Sequence, residues 1–363
     1  MKGVILSAGH GTRLWPITHT QAKQLIPIAN KPMVFYVIED LRNAGIKDIA
    51  VIVGHTPERI NHVKGVIGDG SRWGIKITYV EQAAPSGIAQ AVGLTKDFVG
   101  NDDFIVYLGD NVLKGGINDY VDAFKKSGAD FGILLSKHKS PEMFGVAVFD
   151  KDDKLVGFVE KPKDPPSNLV ITGIYMLRPC VFHEIEKLLK GPPGVRGEYQ
   201  ITDVFDTMMK SGKYRPMTCV VKDWWKDTGK PEDILEANHL LLEELKPVIR
   251  GTVKDGAKIT GKVEIGEGSV IEPGSFIRGP VIIGKDCKVG PNAYIGPYTA
   301  VGDGCEISES EVESSILLTG VKINCNRRIV DSIIGANSKI LSRDGQAPRG
   351  SKLVAGENSQ IYF

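Results

Sequence analysis

Two hydrophobic rhythms divide this chain. Through residue 246, short apolar runs with β-branched members alternate with stretches that read as helices. Strands are expected at 4–6, 49–53, 75–80, 104–108, 131–136, 145–149, 154–159 and 170–177. Between and after them, helices are expected at 32–44 (closed by Gly45), 86–96, 181–189, 202–210 and 231–245. That alternation predicts an α/β domain built on a mainly parallel sheet.

Around Pro247 the rhythm changes. Val253, Ile259, Ile265, Ile271, Ile277, Ile283, Val289, Ile295, Val301 and Ile307 recur every sixth residue, often with glycine next, as in Ile283-Gly284 and Ile295-Gly296. A period of six fits neither a helix nor a hairpin and predicts a parallel β-helix, each aliphatic residue pointing into a prism. The register slips after Ile307 and resumes at Leu317, Ile323 and Ile329, where a loop or irregular coil is expected. The tail, 343–363, is expected to cap the last coil or lie over it. Two domains follow, 1–246 and 247–363.

At 363 residues the chain can bury two substantial cores. Its net charge of +1 leaves no footprint for nucleic acid or a membrane surface. Five scattered cysteines without a Cys-x-x-Cys pair argue for reduced thiols. No apolar stretch approaches transmembrane length, and the first is too short for a signal peptide. A soluble cytoplasmic protein is expected.

The chemistry concentrates in the first thirty-odd residues. The strand at 4–6 opens into Ser7-Ala8-Gly9-His10-Gly11-Thr12, small residues whose backbone N–H groups can crowd round a phosphate. Arg13 and Lys23 add two cations. A dinucleotide fingerprint would need glycine where Leu14 stands and an acid after the second strand, where Gly54-His55 stand. A Walker loop would need Gly-Lys-Ser/Thr, and Arg13-Leu14 is not that. A lone Gly-x-Gly would read as a tight turn, but here Arg13, Pro16, Lys23, Pro27, Lys31 and Pro32 accompany it.

That run, LSAGHGTRLWPITHTQAKQLIPIANKPM, resembles the signature of the sugar nucleotidyltransferases, and the resemblance extends over the whole chain. It implies a Rossmann-like catalytic domain followed by a left-handed β-helix. It is nearest in pattern to the long-form glucose-1-phosphate thymidylyltransferases, through Lys23-Gln24-Leu25-Ile26-Pro27 and Tyr107-Leu108-Gly109-Asp110-Asn111. Nucleotide contacts are then implied for Leu6, Ala8, Gly9, Gly11, Thr12, Gln82, Pro85 and Gly87. A strand-end Gln82 offers donor and acceptor to a pyrimidine edge, and Gly87 allows close approach to a base. Sugar contacts are implied for Asn111, Gly145, Glu160, Lys161, Thr172 and Tyr175. Asp110 and Asp227 are implied as the Mg²⁺ ligands, a carboxylate count that suits Mg²⁺ beside phosphates. Glu198-Tyr199-Gln200-Ile201-Thr202-Asp203 resembles a further family element, with Gln200 where Glu is usual, and receives no chemical role.

The implied reaction is in-line attack of a sugar 1-phosphate on the α-phosphorus of a nucleoside triphosphate. Arg13, Lys23 and Lys161 would neutralise phosphates, without a protein nucleophile. Thymidylyl transfer to glucose 1-phosphate is favoured and uridylyl transfer is the runner-up. A regulatory subunit that has lost the chemistry would be free to lose Lys23, Asp110, Lys161 or Asp227, and all four are present. An acyltransferase centre in the β-helix would want a histidine base, and all seven histidines precede it. The partners expected are small-molecule substrates, with no nucleic acid and no membrane. The β-helix is expected to serve homo-oligomerisation or to shield a sheet edge.

Overall fold

The computed structural model describes residues 1–9, 11–19, 21–54, 56–152, 154–194 and 197–342. His10 of the anion loop, His55 and the tail expected as a cap lie outside the described residues. The chain forms two compact units. One comprises Met1–His10, Thr20–Leu25 and Met33–Asp227; the other comprises Gly11–His19, Ile26–Pro32 and the chain from Thr228 onward.

The first unit is organised by a nine-stranded sheet. Lys2–Ser7 lies in parallel between Asp48–Val53 and Phe104–Leu108, and Lys76–Glu81 extends the parallel half. Side chains alternate across it: Val4, Phe104 and Val106 enter one core, Ile5, Ile105 and Tyr107 the other. Helices Met33–Asn43, Pro57–Ile67 and Asn118–Ser127 contribute to one core, and Ile88–Gly93, Val181–Leu189 and Ile201–Ser211 to the other. Being buried on both faces explains why these strands read as continuous apolar runs.

The other half adds antiparallel pairs to this parallel core, beside the parallel pair of Pro216–Val220 with Phe131–Lys137. Leu169–Leu177 runs antiparallel to Phe104–Leu108, Phe131–Lys137 and Gly145–Phe149, and Leu155–Glu160 runs antiparallel to Gly145–Phe149. The short connection between Gly145–Phe149 and Leu155–Glu160 has no room for a crossover helix, so it closes a hairpin. The helix expected over 86–96 is two pieces, Ile88–Gly93 and Lys96–Val99. The helix expected over 231–245 is Pro231–Leu242.

In the second unit, three parallel sheets of six, six and five strands form the walls of a β-helix. Ile265, Ile283, Val301, Leu317 and Ile334 stack in one wall, and Ile271, Val289, Ile307, Ile323 and Ile340 in the next. The third holds Ile259, Ile277, Ile295, Val312 and Ile329. No loop interrupts the register after Ile307. Val312 takes the wall position, and the steps from Ile307 to Val312 and on to Leu317 are each one residue short, so the coil tightens. Cys287, Cys305 and Cys325 are buried, and all five cysteines are free thiols.

Part of the N-terminal signature belongs to this second unit. In the hairpin of Pro27–Ile28 and Lys31–Pro32, the Ala29 N–H donates to Asn238 Oδ1 at 2.9 Å and Asn30 Nδ2 to the Val301 carbonyl at 2.7 Å. Asn238 in turn donates to the Tyr298 carbonyl. Among the described residues, no helix is long and apolar enough to cross a membrane.

Candidate active site

Strand ends position the charged groups of the first unit. Asp110 follows Phe104–Leu108 through Gly109, whose N–H donates to the Leu6 carbonyl at 2.9 Å. Asn111 begins the short strand Asn111–Leu113, paired antiparallel with Trp225–Asp227 so that Asn111 stands opposite Asp227. This ribbon brings two carboxylates together from distant parts of the chain. Lys23, on the single turn Lys23–Leu25, reaches both. Its Nζ is 2.5 Å from Asp110 Oδ2 and 3.9 Å from Asp227 Oδ1. The side chains of Lys23, Asp110 and Asp227 are 10%, 21% and 29% exposed, open enough for a ligand to approach.

Buried polar atoms without partners gather on these same segments. Ser7 Oγ ends the first strand, Gln24 Oε1 adjoins Lys23, Asn111 Oδ1 adjoins Asp110, and Trp225 Nε1 precedes Asp227 by two residues. Leaving such a group unsatisfied costs about 1–3 kcal/mol, so these segments hold polar groups that the fold itself does not need. Among the described residues no group of three or more His, Cys, Asp or Glu could hold a metal alone. Two carboxylates beside phosphate oxygens are nonetheless what Mg²⁺ takes, and an ammonium between them shows that the pair accepts a cation.

A second cluster forms around Glu160. Its Oε1 accepts from Lys161 Nζ at 2.7 Å and its Oε2 from Thr202 Oγ1 at 2.5 Å. Lys161 sits at φ 42, a conformation costing a non-glycine residue about 1–3 kcal/mol, and its N–H donates to the Phe144 carbonyl. A Cβ on Gly145 would lie 3.2 Å from both Glu160 Oε2 and Thr202 Oγ1, so glycine leaves this carboxylate room. Phe144 packs edge-on to His138 at 4.6 Å and to Trp225 at 5.6 Å, tying this cluster to the strand that ends at Asp227.

Two further expected sugar contacts are buried side chains of the strand Leu169–Leu177. Thr172 is buried and donates to the Leu134 carbonyl at 2.9 Å, and Tyr175 is buried against Phe205. Burial, then the nearby Glu160 charge, pushes the Tyr175 hydroxyl pKa far above its usual value, so it stays protonated. Gly145, Glu160 and Lys161 are brought together, and the Tyr175 hydroxyl is near enough to feel the Glu160 charge.

Gln82 follows Lys76–Glu81, buried, with Nε2 donating to Gln90 Oε1 at 2.6 Å. Pro85 is exposed in the loop beyond. Gly87, at φ 111, has a reason of its own to be glycine: a Cβ there would lie 2.4 Å from the Tyr199 carbonyl oxygen. Tyr199 also accepts from the Ala89 N–H and donates its own N–H to Ser86. Leu6 and Ala8 are half-buried, and Gly9 is exposed beside them. In the second unit, Gly11 (φ 66) caps the turn Thr12–Leu14, where Leu14 is buried and Thr12 and Arg13 are exposed. Thr18 Oγ1 ties that turn by donating to the Gly11 carbonyl at 2.8 Å. A separate groove of about 800 Å³, lined by Lys137, His138, Glu142 and Asn168 among others, contains none of the expected residues.

Sequence reasoning missed Thr202, Gln24 and Trp225. Thr202 and Gln24 lay in quoted motifs, but the Thr202 hydroxyl has a partner only once helix Ile201–Ser211 meets Leu155–Glu160.

A strand-end carboxylate pair bridged by lysine, under an unsatisfied polar floor, is suited to phosphate chemistry, and comparison with known proteins agrees. Residues 2–244 match the nucleotidyl transferase family and residues 277–343 the GMPPB C-terminal domain. The chain belongs to the nucleotidyltransferase family. It is 47% identical over 361 residues to the low-salt glycan biosynthesis nucleotidyltransferase Agl11 of Haloferax volcanii, covering 99% of each protein. It is 42% identical over 362 residues to a glucose-1-phosphate thymidylyltransferase of Streptomyces antibioticus, again covering 99% of each. A crystal structure of a putative glucose-1-phosphate thymidylyltransferase from Bacillus anthracis, in complex with sucrose, superposes with a TM-score of 0.61 at 38% identity. That match covers 66% of this chain and 94% of the other.

Proposed function

We propose that this protein joins a nucleoside triphosphate to a sugar 1-phosphate, giving a nucleotide sugar and pyrophosphate, with dTTP and glucose 1-phosphate as its substrates. The observation that carries the reading is the Lys23–Asp110–Asp227 constellation, with four buried polar atoms unpartnered on its segments. The relatives named thymidylyltransferase support the choice of base and sugar.

The incoming phosphate oxygen attacks the α-phosphorus in line, and pyrophosphate departs. Such a transfer needs positioning and charge neutralisation more than a protein nucleophile. Lys23 neutralises the phosphates around the reacting phosphorus, and Arg13, four residues along the chain from Gly9, the triphosphate and departing pyrophosphate. Leu6, Ala8, Gly9, Gly11 and Thr12 line the nucleotide's path; Gln82, Pro85 and Gly87 hold its base. Lys161 exchanges its bond to Glu160 for the sugar phosphate, and the freed Glu160 oxygen accepts from a sugar hydroxyl. Thr202 keeps Glu160 oriented during that exchange. Asn111, Gly145, Thr172 and Tyr175 complete the sugar contacts of the proposal. Asp110 and Asp227 are the residues that would hold Mg²⁺, which supplies charge neutralisation at phosphate oxygens when bound.

Uridylyl transfer is the second reading, because thymine differs from uracil by one methyl, worth only about 1–3 kcal/mol to a pocket. Retention of Lys23, Asp110, Lys161 and Asp227 disfavours a non-catalytic regulatory subunit. A cytoplasmic location and self-association through the β-helix belong to the same proposal.

The test is pyrophosphate release with Mg²⁺ and glucose 1-phosphate, using dTTP, UTP, GTP, CTP and ATP in turn. Preference for dTTP is expected. Preference for UTP would change the base and keep the mechanism. Absence of turnover with every nucleotide and with other hexose 1-phosphates would overturn the reading.

A further inference from the structure

The groove lined by Lys137, His138, Lys139, Glu142, Ser167 and Asn168 plays no part in the chemistry proposed above, yet it occupies a telling place in the sheet. Leu169–Leu177 runs antiparallel to both Phe104–Leu108 and Phe131–Lys137, so those two strands point the same way. The groove therefore opens at the carboxyl end of Phe131–Lys137, on the sheet edge where Asp110 follows Phe104–Leu108. That is the edge on which open α/β sheets hold ligands. Its volume of about 800 Å³ falls within the range of about 300–1,000 Å³ that takes a small molecule. The backbone frame is fixed: the His138 N–H donates to the Asn168 carbonyl at 3.0 Å, and Ser167 Oγ donates to the Ala147 carbonyl at 2.7 Å. The charges are free. Lys137, Lys139 and Glu142 are exposed and make no ion pair among the described residues. The Ser140 N–H donates to His138 Nδ1 at 3.0 Å, which leaves Nε2 of the neutral ring as a donor.

We infer that this groove is a second ligand site, for a small phosphate monoester that carries hydroxyl groups, a sugar phosphate in kind. Two ammonium groups, the His138 Nε2–H and the Asn168 amide supply donors to the phosphate oxygens. The Glu142 carboxylate would oppose a bare anion, whereas a hydroxyl gives it a donor to accept from, so hydroxyls belong to the ligand. The groove is also joined to the cluster around Glu160. His138 packs edge-on to Phe144 at 4.6 Å, and the Phe144 carbonyl accepts from the Lys161 N–H at 2.9 Å. A ligand that fixes the segment from Lys137 to Phe144 thereby helps to hold Lys161 at its φ of 42, and the two phosphates bind cooperatively. This coupling, unlike the groove's own binding, rests on the proposed role of Lys161 at the sugar phosphate.

The experiment titrates the full-length protein with glucose 6-phosphate by calorimetry, in the absence of nucleotide. Lys161→Ala should keep the binding, whereas the double variant Lys137→Ala, Lys139→Ala should weaken it about tenfold or more. Both lysines are exposed, so the double variant should keep the native unfolding midpoint. Glu142→Ala should weaken glucose 6-phosphate and strengthen inorganic phosphate, because it removes an acceptor for hydroxyls and a charge that opposes the anion. Binding absent from the native chain, kept in the double variant, or lost in Lys161→Ala alone would overturn the inference. Inorganic phosphate binding as tightly as glucose 6-phosphate would overturn the requirement for hydroxyls. In turnover, glucose 6-phosphate should lower KM for glucose 1-phosphate about fivefold in the native chain and leave it unchanged in the double variant. A rise in KM that the double variant shares would mark competition at the sugar cluster and overturn the coupling. The calorimetry needs no turnover: a protein that binds in the groove and releases no pyrophosphate would sink the proposed reaction and leave the groove site standing.

Discussion

The β-helix and the strand ends around Lys23 handle buried polarity in opposite ways. Along the β-helix, hydroxyls and thiols inside the coils find backbone partners: Ser269 Oγ donates to the Gly284 carbonyl and accepts from the Cys287 N–H, and Cys305 Sγ bonds the Leu318 carbonyl. Among the described residues there, only Thr299 Oγ1 is buried without a partner. At the strand ends, four such atoms occur among the described residues, in the first strand, the turn and the ribbon. One region uses its polar groups to hold itself together. The other leaves them unsatisfied, on segments that include those carrying the carboxylates proposed to meet phosphate and cation.

The largest effect on stability should come from interrupting the repeating wall. Ile283→Ala removes a fully buried side chain stacked between Ile265 and Val301 and should cost about 2–5 kcal/mol, read as a lower urea midpoint. Turnover of the still-folded fraction should be nearly native, since no expected site residue lies in that coil. Thr202→Val keeps the shape at Glu160 and removes its hydroxyl donor. A rise in KM for the sugar 1-phosphate of about tenfold, with KM for the triphosphate unchanged, is expected from loss of a bond to a charged group. A uniform fall in kcat instead would mean that the hydroxyl serves the fold alone.

Ser7→Ala tests the opposite sign. It deletes an unpartnered buried hydroxyl, so the ligand-free protein should gain about 1 kcal/mol in chemical unfolding while triphosphate affinity falls. A loss of stability would show that the hydroxyl is already satisfied. The smallest effect concerns His239 in the second unit, whose ring bonds Ser314 Oγ at 2.8 Å and whose pKa is lowered by burial, against the pull of Asp331 and Glu236. The unfolded chain then binds the proton more readily, so stability should decline as pH falls below about 6.5, the ordinary histidine value. That decline should be shallower in His239→Gln.

The same contrast governs what was legible in the sequence. The six-residue rhythm prescribed the β-helix almost position by position, because one aliphatic residue per wall is a periodic requirement. Val312 was overlooked only because its coil is shorter. The parallel strands of the first unit were also legible as apolar runs. Helix Pro57–Ile67 and the ribbon of Asn111–Leu113 with Trp225–Asp227 were not; the ribbon's strands are too short to carry a period. At the site, Lys23, Asp110, Glu160 and Lys161 stand in recognisable motifs, but the pairing of Lys23 with Asp110 is a contact that only folding creates. Thr172 and Tyr175 stand in one motif, but their burial was not legible, because it follows from a register shift between Ile171 and Tyr175 that turns the strand among three neighbours.

The most direct test of the account is the rate of pyrophosphate release by Asp110→Asn, measured beside its unfolding midpoint. The substitution keeps the side chain's size and removes the charge that Lys23 contacts. Loss of one charge-stabilising group predicts a fall of about a hundredfold or more in turnover, about 2.7–4 kcal/mol in barrier, with the fold retained. Near-native turnover in a folded Asp110→Asn protein would contradict the account.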